Sequence, residues 1–151
     1  ALSSSSQELD QNIEFRLFYR DPVVLIVPAD HPWAQRRNIE AQDLRQARFI
    51  MREASAGTCR VARAGLAGCG IHIDDLDIIL TLGNSEAIAI AVQQGLGVGF
   101  ISQCVLDQGI APGVVRVPIQ GLELFQDIYL CRHRLAESSN LQNPFWEFAA
   151  R

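Results

Sequence analysis

Between Ile13 and Val27 the chain passes from a mixture of aromatic, branched and charged residues into an unbroken apolar run, Val23-Val24-Leu25-Ile26-Val27, closed by Pro28. Five apolar residues in a row leave neither face of a strand polar, so the run predicts a strand buried on both sides. Ala29-Asp30-His31-Pro32 has turn chemistry, since Asp30 and His31 are polar and Pro32 restricts the residue before it. A short helix over Ile39 to Gln46 and a short strand at Arg48-Phe49-Ile50-Met51 follow. Glu53-Ala54-Ser55-Ala56-Gly57-Thr58 then offers hydroxyls and a flexible glycine where a helix would begin. Cys59, Ala62, Leu66 and Cys69 recur at helical spacing and share one face, which Gly68 and Gly70 terminate.

The cycle repeats. Leu76 to Leu82 reads as a strand, Gly83-Asn84-Ser85 as a turn and cap, and Glu86 to Gln94 as a helix. Gly95 to Ile101 supplies another strand, Ser102-Gln103 a further cap, and Cys104 to Gln108 a short helix. Strand, helix, strand, helix, strand is the order of a parallel sheet with right-handed crossovers. The rhythm then breaks: Val114 to Val117 is a small strand, Pro118 to Gly121 a turn, and Leu124 to Arg134 a long strand with no helix between. A terminal helix starts at Asn143-Pro144, where proline suits the first turn.

Composition narrows the function. The chain has 151 residues, 48% of them apolar and 20% charged, enough for one domain or two small lobes with a substantial core. No apolar run approaches the roughly 18 residues of a membrane span, and Ala1 to Ser6 has neither the basic nor the apolar region of a signal peptide, so a cytoplasmic protein without membrane contact is expected. The net charge is −4, and all thirteen basic residues are scattered arginines. Without a basic face to neutralise phosphates, this chain should not grip DNA by itself. Cys59, Cys69, Cys104 and Cys131 are far apart, with no C-x-x-C and no histidine at ligand spacing. Free buried thiols fit better than zinc or a disulfide framework, and no cofactor is implied.

In an open parallel sheet the loops at the carboxyl ends of the strands line the ligand crevice, and the following helices point their N-termini into it. Three loops qualify, with Ser55, Gly57 and Thr58 in the first, Asn84 and Ser85 in the second, and Ser102 and Gln103 in the third. Each offers backbone N–H groups, a hydroxyl or amide and the positive end of a helix dipole, a combination suited to a carboxylate or phosphate. Each is also what an ordinary helix cap looks like. Arg52 and Arg60 are candidate charge partners or solvated surface arginines. Gly95-Leu96-Gly97-Val98-Gly99 is not a dinucleotide fingerprint, because its third glycine falls one residue early and it follows a helix instead of a strand. His31, His72 and His133 form no recognisable relay with a serine or cysteine, and Asp74-Asp75 belongs to a solvated loop, so nothing supports catalysis.

Several segments resemble LysR-type transcriptional regulators: Asp21-Pro22-Val23-Val24-Leu25-Ile26-Val27-Pro28-Ala29-Asp30-His31-Pro32-Trp33-Ala34, then Phe49 to Glu53 with Ser55-Ala56-Gly57-Thr58, and most specifically Ser85 through Gln94-Gly95-Leu96-Gly97-Val98-Gly99-Phe100-Ile101-Ser102. Order and spacing match together over about residues 15 to 150, nearest the CbbR/CysB-like branch. The resemblance implies an α/β, type 2 periplasmic-binding-protein-like fold: one complete parallel-sheet lobe over 24–122, flanked by 1–23 and 123–151 as crossing strands and a partial first lobe. It implies an effector in the cleft between lobes, which the helix N-termini described above suit to a small anion, DNA binding through a helix-turn-helix domain with no counterpart here, and a homo-oligomer paired through the helix Thr58 to Ala67 and the strand Asp77 to Leu82. One departure is that the family turn often reads Ser-Gly-Thr-Arg, whereas here Thr58 is followed by Cys59, with Arg60 one place on. A solute-binding transport protein of the same fold is the alternative, and an enzyme on that fold a third reading that lacks a nucleophile or an acid/base pair.

Overall fold

A computed structural model describes residues 2–3, 12–133 and 142–148. The chain divides into two compact units, one of residues 22–125 and one of residues 1–21 with 126–151. In the larger unit, the apolar run forms the second half of strand β2 (Ile13–Pro28). It is followed by β3 (Arg48–Arg52), helix α1 (Gly57–Gly68), β4 (Asp77–Leu82), α2 (Ser85–Gln93), β5 (Val98–Ser102), α3 (Gln103–Asp107) and β6 (Val114–Arg116). β3 pairs in parallel with both β4 and β5, as the strand–helix rhythm predicts. β2 joins β5, and β6 joins β2, both antiparallel, so the sheet is mixed.

The strands alternate between two cores, which explains why their sequences look uniformly apolar. Val23, Leu25, Val27, Phe49, Met51, Val98 and Phe100 face one cluster with Cys59, Ala62 and Leu66 of α1. Val24, Ile26, Ile50 and Ile101 face the other, with Ile88, Ala89 and Val92 of α2. Helices thus cover both faces of the sheet, and each fully buried Ile or Phe contributes about 1.5–3 kcal/mol. The glycines at 97 and 99 have a packing role: a Cβ at Gly97 would sit 2.5 Å from the Arg48 carbonyl oxygen, and one at Gly99 would sit 2.8 Å from that of Ile50. They let β5 lie against β3, which is why this glycine pattern occurs without a nucleotide.

Some expectations shift. The helix expected over Ile39 to Gln46 is a 3-10 helix over Ala41–Gln46, opened by a reciprocal Glu40/Asp43 capping box. Ile39 is held out of it by bonds in which its N–H donates to Pro118 and its carbonyl accepts from Gln120. Pro32–Gln35 forms a further 3-10 turn, and His31 caps it by accepting the Trp33 N–H on Nδ1 at 3.1 Å. Leu76 is buried ahead of β4 as the cap of another 3-10 turn, Ile73–Asp75. Of the four free cysteines Cys59 alone is buried; Cys104 is exposed and Cys69 and Cys131 are half-buried. His72 and His133 are exposed, and Asp74 and Asp75 pair with Arg63 and Arg45 on the surface.

In the smaller unit, β1 (Leu2–Ser3) pairs antiparallel with β7 (Leu124–His133), and Arg134, expected to end that strand, lies outside the described residues. A terminal helix α4 (Gln142–Phe148) carries Trp146, which is buried and has the guanidinium carbons of Arg16 and Arg132 at 4.8 and 4.4 Å from its ring centre. Gln126 donates to Asp21 at 2.7 Å.

Candidate functional site

The parallel arrangement brings the three predicted loops to one edge. β3 is central, with β4 and β5 on either side. Arg52 is level with Leu82 of β4, and the register Ile50 to Gly99, continued two residues, places it level with Ile101 of β5. The loops therefore begin at one height, and neighbouring strands lie about 4.8 Å apart, so the outer two start within about 10 Å of each other. α1 covers one face of the sheet while α2 and α3 cover the other, so all three helix N-termini border this edge.

Thr58, Ser85 and Ser102 are all buried, at 4%, 6% and 8% exposure. Thr58 stands out because its hydroxyl oxygen is inaccessible and has no hydrogen-bond partner among the described residues. A buried hydroxyl left unpaired costs about 1–3 kcal/mol, which a folded protein ordinarily avoids. The start of α1 is unusual in the same way. Its N-cap is Ala56, not a hydroxyl residue as the sequence suggests, and no side chain caps the helix. Gly57 is the first residue of that turn. A twelve-residue helix thus begins with an uncapped N-terminus and an unpaired hydroxyl one residue in.

The other candidates divide. Ser55 is exposed, and its carbonyl accepts Arg60 Nη1 at 2.7 Å, which clamps the loop ahead of α1. Asn84 caps α2, with its oxygen accepting the Ala87 N–H at 2.6 Å, so the ordinary capping role holds for that atom and its amide nitrogen remains as a donor. Ser102 occupies the N-cap position of α3 without a side-chain capping bond. Gln103 is drawn elsewhere: it donates to Asp107 at 2.6 Å, and its oxygen lies 3.4 Å from Arg116 Nη1. Arg52 is bound by both ends of Glu53, at 2.8 and 2.9 Å. That pair holds the arginine's pKa above and the carboxyl's below their ordinary values, while burial pushes the Cys59 thiol up.

Two features here escaped sequence reading. The Arg60 clamp required knowing that α1 starts at Gly57, which brings residue 60 back over the Ser55 carbonyl. The Arg52–Glu53 pair removes most of the positive charge Arg52 would otherwise offer; adjacency of opposite charges was its one visible sign. Among the described residues no group of His, Cys, Asp or Glu could hold a metal ion, and no helix is long and apolar enough to cross a membrane.

Residues 1–151 match the LysR substrate binding domain. An uncharacterized HTH-type transcriptional regulator of Methanocaldococcus jannaschii is 29% identical over 94% of the chain, and a probable RuBisCO transcriptional regulator of Cyanidioschyzon merolae is 32% identical over 81%. The chain spans 48% and 41% of those two proteins. Its fold matches the regulatory domain of Synechocystis CcmR solved with 2-PG (TM-score 0.82, 24% identity, 99% of this chain and 70% of that one). It also matches the effector binding domain of QuiR solved with shikimate (TM-score 0.82, 20% identity, 99% and 69%). The chain belongs to the LysR substrate-binding-domain family, with the periplasmic-binding-protein-like fold of its effector-binding domains.

Proposed function

We propose that this chain is the effector-sensing domain of a cytoplasmic, DNA-binding transcriptional regulator, and that it takes a small anionic metabolite on the loops after β3, β4 and β5. The observation that supports this reading most is the orphaned Thr58 hydroxyl beside the uncapped start of α1. There an anion's oxygen would accept from backbone N–H groups of the first helical turn and, where the loop ahead of α1 opens to expose it, from Thr58 Oγ1, with the helix dipole favouring its charge. Ser85 and Ser102 extend the donor set from the neighbouring loops. Asn84 can add its amide nitrogen, and Gln103 joins only if it releases Asp107. With Arg52 held by Glu53, hydrogen bonds and dipoles do more of the work than a free cation.

The chain needs no chemistry of its own in this role. A bound effector changes the protein by binding one arrangement of lobes or subunits better than another, and the shift is limited to that difference in affinity. DNA would be held by a separate domain of the whole protein, and the sensor domains would pair as a homo-oligomer. Calorimetric titration with 2-PG, shikimate and a panel of other small organic and phosphate anions tests the reading. We expect at least one to bind with measurable heat and to raise the thermal midpoint; a chain that binds no anion in the panel contradicts it.

A further inference from the structure

Arg52 is the last residue of β3, the central parallel strand, and lies level with Leu82 at the end of β4. Its charge interacts with Cys59 in the first turn of α1 and with Glu86 in the first turn of α2, which places the guanidinium near the start of both helices. There it already holds an oxyanion. One oxygen of the Glu53 carboxylate accepts from Arg52 Nε at 2.9 Å and the other from Nη2 at 2.8 Å. This two-point geometry is the one in which an arginine fork takes a carboxylate or a phosphate. The two partners are unequally held: 20% of the Arg52 side chain is exposed and 41% of that of Glu53, so the cation is set into the edge while the carboxylate on it lies open to water.

A water-exposed ion pair is weak, and an exposed side chain changes rotamer freely, so Glu53 can leave the fork without any movement of the backbone. A free oxyanion that takes its place also draws on the N–H groups and dipoles of the helix starts. We propose that Glu53 is a built-in competitor at the anion site: it holds Arg52 until an effector carboxylate or phosphate exchanges with it on the same two nitrogens. The inference rests on the anion site proposed above and adds which cation the effector meets and what it must displace. Because one ion pair replaces another, Arg52 adds little net affinity and mainly selects. An anion with two oxygens side by side replaces both bonds, whereas a halide cannot.

Isothermal titration of the parent chain and of Glu53→Gln with malonate, inorganic phosphate and the wider anion panel tests it. Glu53→Gln removes the competitor, so an oxyanion that binds the parent should bind this variant about two- to fivefold more tightly, as expected for loss of an exposed ion pair. Removing any nearby negative charge also favours an anion, and Glu86→Gln measures that effect, because Glu86 acts on Arg52 through charge without a hydrogen bond to it. The gain from Glu86→Gln should be smaller. In an Arg52→Gln background, Glu53→Gln should gain no more than Glu86→Gln does. Binding confined to Glu53→Gln would also support the exchange. Binding by the parent that Glu53→Gln leaves unchanged or weakens overturns the exchange and leaves the anion site standing. So do equal gains from the Glu53 and Glu86 variants, or a Glu53→Gln gain that persists in full without Arg52. If neither the parent nor Glu53→Gln binds any anion, both the exchange and the anion site are overturned.

Discussion

Single residues in this chain do work that their type alone does not announce. Gly97 is the sharpest case: the Arg48 carbonyl occupies the space where a Cβ would go, and backbone cannot yield as a flexible side chain would. Gly97→Ala should therefore cost about 1–3 kcal/mol or more by overpacking, read as a lower urea midpoint at unchanged slope. An unchanged midpoint would mean that β5 does not lie against β3 as described. His31 gives a pH dependence. Burial holds its pKa below the ordinary 6.5, against the opposing pull of Asp30, and its Nδ1 must stay unprotonated to accept the Trp33 N–H. With the folded value below the unfolded one, the unfolded chain binds more protons, so stability is full above pH 6.5 and declines as pH falls below it. His31→Asn keeps a capping acceptor but does not titrate, so its stability should fall less than the parent's between about pH 7.5 and 5.5. Parallel pH curves for the two proteins would remove His31 as the cause.

At the scale of elements, the helix starts carry the argument, and they are unequal. Asn84→Ala removes a bonded cap and should lower stability by about 1 kcal/mol, measured by urea unfolding; a neutral result would show that water replaces the Asn84 oxygen. The existence and order of the elements were legible because hydrophobic period, turn residues and glycine stops agree along most of the chain. Boundaries were less so. Helix α1 looked as if it began on a hydroxyl, but residue type cannot say which residue turns the chain, and Ala56 does. The region before β3 read as an α-helix because 3-10 and α turns share their apolar spacing over six residues, and the bonds that hold Ile39 away come from residues about eighty positions later. Of the candidate site, placing three loops at one edge followed from the parallel strands. The orphaned Thr58 hydroxyl and the diversion of Gln103 to Asp107 and Arg116 did not, because both depend on rotamers and distant neighbours.

For the whole molecule, charge and surface decide its partners. A chain of net charge −4 with scattered arginines should fail to retard promoter DNA at physiological salt; a clear mobility shift by this chain alone would contradict that. β4 ends the strand order and leaves Ile78, Ile79 and Leu80 at 38%, 42% and 38% exposure, an apolar edge of the kind that recruits another chain. We expect the homo-oligomer to use this strand with α1, so that Ile79→Lys lowers the solution mass toward 16.7 kDa; a parent chain already monomeric at high concentration defeats that expectation. The central claim is that the loops after β3, β4 and β5 receive an anion through Thr58, and one substitution tests it from both sides. Thr58→Val keeps the shape and deletes an unpartnered buried hydroxyl, so the unfolding midpoint should stay level or rise. Calorimetry with the anion that binds the parent should meanwhile show affinity reduced about tenfold or more. A variant that binds that anion as tightly as the parent would contradict the account.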